Sequence, residues 1–207
     1  MIFAKIPLGI LSSNTYILAD KDSKQGVIVD IGGDFAKLQE HITAMDVKIE
    51  KILLTHGHLD HILDASKTKK YYAAPIYLHE LDKDLYKDSK IRSFYGKDAP
   101  NDLPVDVFMQ DGDIINFGHH QIKVIHTPGH TQGSVCFLVD NSFLLSGDTL
   151  FRNTIGRTDH EGGNTEQEIE SIKTKLMVLL NEVEVFPGHG GNSTIGQERI
   201  NNPYLKY

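Results

Sequence analysis

Four candidate metal ligands lie within six residues of this sequence: His56, His58, Asp60 and His61. They follow an apolar run, residues 51–54, that is typical of a buried strand. His56 and His58 are two apart, so their side chains leave an extended chain on the same side and can chelate one ion. Asp60 and His61 alternate with them, which indicates a second ion beside the first. Ordinary structural histidines are the alternative, but buried imidazoles and carboxylates are costly unless they coordinate or pair, so the cluster favours a metal site.

Three more candidate ligands each follow an apolar segment and stand beside a glycine: His130, Asp148 and His189. Loops at one edge of a sheet structure can converge, which would bring five imidazoles and two carboxylates together. Seven ligands exceed what one tetrahedral ion accepts. The sequence therefore predicts two ions that share a carboxylate, with open positions for a bridging hydroxide.

The elements that must position these ligands form two similar β-rich halves. Strands are predicted at residues 2–6, 15–19, 26–30, 49–54 and 76–78 in the first half, and at 114–117, 122–125, 134–139, 143–145 and 183–186 in the second. Helical spacing predicts helices over 35–44, from near His61 to Tyr72, and over 165–180. We expect Asp34 to cap the first helix, residues 12–14 to form a turn, and residues 79–104 to be an irregular surface segment that borders the site.

Two such halves can bury both faces of their sheets by packing sheet on sheet with helices outside. The predicted fold is α/β: an αββα sandwich with the metal site at one edge, and residues 1–207 forming a single domain.

Composition limits the class of protein. The 207 residues carry a formal net charge of −7, which disfavours a nucleic-acid partner. The single cysteine, Cys136, lies in an apolar run and excludes a disulfide framework, so we expect a buried thiol. No stretch approaches the roughly 18 uninterrupted apolar residues of a membrane span, and we see no signal peptide. We expect a cytoplasmic protein without a membrane partner; its oligomeric state is open.

The motifs Thr-His-Gly-His-Leu-Asp-His, Thr-Pro-Gly-His-Thr, Ser-Gly-Asp and Pro-Gly-His resemble those of the metallo-β-lactamase superfamily, over essentially the whole chain. Residues 150–151, 155–159, 162–164 and 198–205 resemble the short glyoxalase II-like hydrolases most. The resemblance implies the same αββα fold and a set of ligand roles. His56, His58 and His130 would hold one ion, Asp60, His61 and His189 the other, and Asp148 would bridge them.

The resemblance also implies an activity. Two divalent ions, zinc first and iron or manganese as alternatives, would activate a bridging hydroxide that attacks a small-molecule acyl thioester such as S-lactoylglutathione. Asp60 would also accept a proton during the reaction. The main alternative is a persulfide dioxygenase with a single iron, which shares the histidine motif and the Gly-Arg-Thr-Asp sequence. A nuclease of this fold is disfavoured by the acidic charge, and a non-catalytic metal-binding scaffold is the alternative outside enzymes.

The sequence also offers candidates for contacts to the substrate. Arg92, Tyr95, Arg152 and Arg157 are the candidates, although Arg157 could instead form an ion pair with Asp159 that fixes its own loop. Full-length glyoxalase II enzymes hold glutathione with a helical domain after the last metal histidine. Since 207 − 189 leaves 18 residues here, we expect the thiol carrier to be held weakly. Asp30 is expected to support the histidine loop from outside the ligand set.

Overall fold

The chain begins with an antiparallel pair of strands, β1 (Ile2–Leu8) and β2 (Ser13–Ala19), and every residue of β2 is buried. The turn between them precedes the predicted one. Ser12 has a left-handed backbone, with φ of 54°, and its N–H donates to Gly9 O at 3.2 Å. The chain therefore reverses before Ser13, and the prediction of a turn over residues 12–14 was wrong by about two residues.

The computed structural model describes residues 1–87 and 89–206. The chain forms two compact units, one of residues 1–109 with 116–120, the other of residues 110–115 with the remainder. After β1 and β2, the first unit contains β3 (Gln25–Val29), α1 (Phe35–Met45), β4 (Lys48–Leu53), α2 (Leu59–Ile62), α3 (Ala65–Tyr72), β5 (Ile76–His79), α4 (Ser89–Tyr95) and β6 (Val107–Met109). Its sheet has the order β1-β2-β3-β4-β5-β6, antiparallel through β3 and parallel from β3 to β6.

The helices of the first unit pack on its sheet through one apolar cluster. Leu38 and Ile42 of α1 and Ile62 of α2 are buried there with Ile17, Ile28, Ile52 and Ile76 of the strands.

The predicted helix from His61 to Tyr72 is divided into α2 and α3. Ile31 N–H donates to His61 O at 2.6 Å, and the backbone N–H of Asp64 donates to Ile31 O at 3.4 Å. These contacts from another segment replace helical hydrogen bonds, so the helix breaks before Ala65.

The cap of α1 also differs from the prediction. Asp34 occupies the N-cap position, but with φ of 55° its side chain makes no capping hydrogen bond. Phe35 N–H instead donates to the carboxylate of Asp64 at 3.0 Å. The first helical turn is therefore capped by a side chain distant in sequence, which local pattern cannot reveal.

The second part of the chain contains β7 (Ile114–Phe117), β8 (His120–His126), β9 (Val135–Val139), β10 (Phe143–Gly147), β11 (Leu150–Phe151), β12 (Thr154–Ile155), α5 (Thr165–Ser171), β13 (Glu184–Pro187), β14 (Ser193–Thr194) and α6 (Ile195–Asn201). The main sheet has the order β14-β13-β10-β9-β8-β7, and β11 and β12 form a separate two-stranded sheet. β10 runs antiparallel to β9 and parallel to β13, and β8 is antiparallel to β9. The carboxyl ends of β8, β10 and β13 therefore share one edge of this sheet.

The helix predicted over residues 165–180 is only partly α-helical. α5 ends at Ser171, and Ile172–Leu176 forms a π-type turn in which Met177 N–H donates to Ile172 O at 2.9 Å. The Thr174 hydroxyl donates to Glu170 O at 2.7 Å, a side-chain bond that competes with the regular helical ladder.

The segment of residues 79–104, expected to be irregular, contains α4 and short 3₁₀ turns at Glu80–Asp82, Leu85–Lys87 and Gly96–Asp98.

Candidate metal centre

Asp30 supports the histidine loop of the first unit. It follows β3, and Thr55 follows the parallel neighbour β4, so the two residues meet at one sheet edge. The buried Asp30 carboxylate accepts from Thr55 N–H at 2.8 Å, from the Thr55 hydroxyl at 2.7 Å and from His61 Nδ1 at 2.8 Å. Three hydrogen bonds to one carboxylate fix both ends of the loop, which confirms the supporting role predicted for Asp30.

Hydrogen bonds to Nδ1 leave Nε2 as the nitrogen available to a metal. His61 Nδ1 is bonded to Asp30, and His56 Nδ1 lies 3.0 Å from the Thr55 hydroxyl. In the second unit His130 Nδ1 lies 2.7 Å from Arg157 O. Metal-ligating histidines characteristically donate their other ring N–H to a carboxylate or carbonyl in this way, because the bond sets the tautomer and the ring orientation.

The candidate ligand side chains of the first unit lie close to one another. The ring centroid of His56 is 4.8 Å from that of His58 and 4.3 Å from that of His61. Asp60 Oδ2 is 3.4 Å from His61 Nε2 and also accepts from the Ser13 hydroxyl at 3.2 Å. Two ligands of a tetrahedral zinc ion are about 3.4 Å apart. The donor set and its spacing therefore fit divalent metal binding.

Asp82 was not singled out in the sequence, although it also fixes this loop. It is buried, and its Oδ2 accepts from Gly57 N–H at 2.9 Å, between His56 and His58. A Cβ on Gly57 would lie 2.7 Å from Asp82 O, so the loop and the segment after β5 are in direct backbone contact. The sequence gives no local signal for this support, because Asp82 is 25 residues from Gly57 in the chain.

The candidate ligands of the second unit converge at its shared sheet edge. Asp148 follows β10, His189 follows the parallel β13, and Gly188 N–H donates to Gly147 O at 2.7 Å. Asp148 Oδ2 is 3.7 Å from Nε2 of His130 and 3.7 Å from Nε2 of His189. One carboxylate oxygen thus lies about as far from each of two imidazole nitrogens as two ligands of the same metal ion lie from each other.

The loop that carries His130 is held by α5 and its N-cap residue. Asn164 N–H donates to Gly129 O at 2.8 Å, and the Ser171 hydroxyl donates to Pro128 O at 2.7 Å. Glu168, which is fully buried, accepts from His130 N–H through Oε2. Burial raises the pKa of Glu168 to about 8, and the charge of Asp148 adds to the rise while the His130 amide opposes it. Gly129 has φ of 149°, and a Cβ there would overlap Glu168.

His160, which matched no ligand position in the sequence, lies beside His130. Its Nε2 is 3.0 Å from Arg157 O, the carbonyl that His130 Nδ1 also contacts, and the two ring centroids are 4.9 Å apart. The signal that could have found it is its place just after Gly-Arg-Thr-Asp.

The predicted substrate contacts have different surroundings. Arg92 donates to Pro100 O at 2.6 Å. Tyr95 is buried, its hydroxyl has no hydrogen-bond partner among the described residues, and burial together with the charge of Asp60 raises its pKa. Arg157 forms a two-pronged ion pair with Asp159, at 3.0 and 3.1 Å, in which both side chains are exposed. Arg152 is exposed. The ion pair predicted as one alternative for Arg157 is thus present.

A sequence model described as the metallo-beta-lactamase superfamily matches residues 8–189. The chain belongs to this superfamily. An uncharacterized protein of Mycobacterium leprae is 38% identical over 100% of the chain and 99% of its own length. Hydroxyacylglutathione hydrolase GloC of Haemophilus influenzae is 35% identical over 97% of the chain and 96% of its own length. The probable metallo-hydrolase YqgX of Bacillus subtilis is 34% identical over 99% and 98%.

Solved structures of this superfamily confirm the predicted sandwich of sheets and helices. The B3 metallo-beta-lactamase BLEG-1 has a TM-score of 0.92 at 35% identity, with both chains fully covered. TTHA1623 in a di-iron-bound form has a TM-score of 0.87 at 33% identity, over 98% of this chain and 100% of that one. ETHE1 from Myxococcus xanthus has a TM-score of 0.83 at 25% identity, over 98% and 84%. No helix in the described part of the chain is long and apolar enough to cross a membrane.

Proposed function

We propose that this metallo-beta-lactamase-superfamily protein is a hydrolase that uses two divalent metal ions to cleave hydroxyacyl thioesters of the S-lactoylglutathione type. The observation that carries the proposal is the likeness to GloC, 35% identical over nearly the full length of both chains. The likeness to a probable metallo-hydrolase supports the same reaction type. Small molecules would be the substrates, and residues 1–207 would act as one domain.

The seven histidine and aspartate residues are the proposed ligands, with roles that follow the family resemblance. His56, His58 and His130 would hold the first ion, Asp60, His61 and His189 the second, and Asp148 both. Support comes from Asp148 Oδ2, which lies 3.7 Å from one imidazole of each set. Zinc is the proposed metal because nitrogen and carboxylate ligands suit it. Iron, which is bound in the di-iron form of TTHA1623, and manganese are the alternatives.

When bound, the two ions would supply a hydroxide at neutral pH and polarise the acyl carbonyl. The chain would hold the imidazoles of His56, His61 and His130 so that Nε2 is the ligand nitrogen. The hydrogen-bond partners of Nδ1 support this orientation. Asp60 would accept a proton as the tetrahedral intermediate forms, and the hydrogen bond that it accepts from the Ser13 hydroxyl would hold its carboxylate for this role. A thioester suits this arrangement because a thiolate leaves readily and needs no strong general acid.

A persulfide dioxygenase with one iron is the second candidate, and the likeness to ETHE1 fits it equally well. That reaction consumes oxygen, whereas thioester hydrolysis releases a thiol and consumes none. A non-catalytic scaffold would do neither.

One set of assays separates these functions. Metal-loaded protein is given S-lactoylglutathione while thiol release is followed, and a glutathione persulfide while oxygen uptake is followed. We expect thiol release without oxygen uptake, and its loss in His58→Ala and in His130→Ala. His41→Ala is the control, because this histidine on α1 contacts Lys37 O at 2.8 Å and is not a proposed ligand. Oxygen uptake without thiol release would establish the dioxygenase instead.

A further inference from the structure

Glu168 is a fully buried acid at the start of α5 that belongs to none of the proposed ligand sets. Its Oε2 accepts from the backbone N–H of His130, and its Oε1 is buried without a hydrogen-bond partner among the described residues. A buried carboxyl group costs free energy unless it is hydrogen-bonded or paired, so its contacts are of interest. Among the described residues, its hydrogen bond is to a candidate metal ligand.

The surroundings of Glu168 show that the contact is tightly constrained. Gly129, the residue before His130, could not carry a side chain without overlapping both the backbone and the carboxyl group of Glu168. The neighbouring carbonyls of Pro128 and Gly129 accept from Ser171 and Asn164 of the same helix region. The carbonyls of Pro128 and Gly129 and the amide of His130 are thus held from α5 and its N-cap residue, while the Gly129 N–H donates to Thr131 O at 3.0 Å.

The His130 side chain is held independently at its ring, where Nδ1 contacts Arg157 O at 2.7 Å. A ring fixed at Nδ1 and a backbone fixed at N leave little freedom to Nε2, which stands 3.7 Å from Asp148 Oδ2. Loss of either restraint would let Nε2 move away from that carboxylate. Since ligand positions must hold to within about half an ångström, such a movement would weaken metal binding.

We propose that Glu168 is a positioning residue that sets the place of His130 Nε2 through the His130 backbone amide and thereby raises metal affinity. The inference rests on the proposed ligand role of His130. It requires only that residue 168 offer a buried oxygen acceptor. The amide oxygen of glutamine can replace the carboxylate, whereas methionine, similar in length, cannot.

Glu198 provides a matched control within the same unit. It is also fully buried, its Oε2 accepts from Asn153 N–H at 2.8 Å and from the Asn202 side chain at 3.0 Å, and its Oε1 also lacks a partner among the described residues. Its contacts hold the turn between β11 and β12 and the start of the last 3₁₀ turn, Pro203–Leu205. Glu198→Met therefore imposes a similar burial defect without touching the His130 amide.

The test compares Glu168→Met, Glu168→Gln and Glu198→Met in full-length protein. Zinc affinity is measured by competition with a chromophoric chelator, and folding by circular dichroism and melting with the metal removed. We expect Glu168→Met to weaken zinc binding about 10- to 100-fold, the usual range for a residue that supports a ligand. Glu168→Gln should stay near the wild type, and Glu198→Met should lower the melting temperature while zinc affinity stays near the wild type. The His130 amide proton resonance should shift upfield only in Glu168→Met.

Three results would overturn the inference: wild-type zinc affinity in Glu168→Met, equal losses in Glu168→Gln and Glu168→Met, or an equal loss in Glu198→Met. If Glu168→Met fails to fold, Glu168→Asp provides the same comparison, because its shorter carboxylate cannot reach the His130 amide without moving the helix. His130→Ala separates the proposed ligand role of His130 from the proposed positioning role of Glu168. Unchanged zinc affinity in that variant would contradict the ligand role of His130, whereas a loss there without a loss in Glu168→Met would contradict only the role of Glu168.

Discussion

Asp30→Asn removes one hydrogen-bond acceptor from beneath the histidine loop and changes little else. Asp30 has a left-handed backbone, with φ of 57°, which asparagine also tolerates. The asparagine oxygen can still accept from Thr55 N–H, now made at 2.8 Å, and its NH₂ group can donate to the Thr55 hydroxyl. The same NH₂ group would face His61 Nδ1–H at the present 2.8 Å contact, so that buried donor loses its partner.

An unsatisfied buried donor costs about 1–3 kcal/mol. At about 1.4 kcal/mol per tenfold change, this corresponds to a loss of about 5- to 150-fold in metal affinity if the whole cost falls on the ring that binds the ion. The assay is zinc competition with a chromophoric chelator, with circular dichroism to show that the fold persists. Asp20→Asn is the control, because Asp20 is also buried and accepts from the N–H groups of Asp22 at 3.0 Å and Ser23 at 2.7 Å, without contact to the loop. A folded Asp30→Asn protein with wild-type zinc affinity would refute the reasoning.

Three further outcomes are expected. Asp148→Ala should weaken metal binding more than Asp30→Ala, because a bridging ligand would touch both ions, whereas loss of a supporting residue lowers metal affinity about 10- to 100-fold. Isothermal titration measures both losses, and equal losses would contradict the bridging role. Tyr95→Phe should leave the melting temperature unchanged or raise it, because the hydroxyl makes no hydrogen bond within the described chain; a lower melting temperature would reveal a missing partner. Burial raises the pKa of the Cys136 thiol to about 12, so at pH 8 the native protein should resist iodoacetamide while urea-unfolded protein takes up one label; rapid native labelling would contradict the burial.

The strand pattern and the positions of the loops were readable from the sequence because apolar runs and glycines mark them locally. Asp140 and Asn141, predicted as a hairpin turn, both have left-handed backbones, as the central residues of a type I′ turn require, and Ser142 N–H donates to Val139 O at 2.9 Å. The buried Cys136 follows from its apolar neighbours. In contrast, the short strands β6, β11, β12 and β14 were missed, because two or three residues carry no usable period.

The residues that support the site were harder to predict than its candidate ligands. Closely spaced histidines can be recognised as candidate ligands from their residue type, whereas Asp82 and Glu168 accept from backbone N–H groups 25 and 38 residues away in the chain. An acid in a polar segment and an acid on a helix are ordinary features of a sequence. Only the fold shows that each is buried against a loop that carries candidate ligands.

Turnover as a function of bound metal tests the central claim most directly. Metal-free protein is titrated with zinc while thiol release from S-lactoylglutathione and bound metal are measured on the same samples. We expect activity to rise until two zinc ions are bound per chain, and we expect His58→Ala to bind fewer ions and to show no turnover. Full activity with one ion per chain, or two bound ions with no thioester hydrolysis, would contradict it.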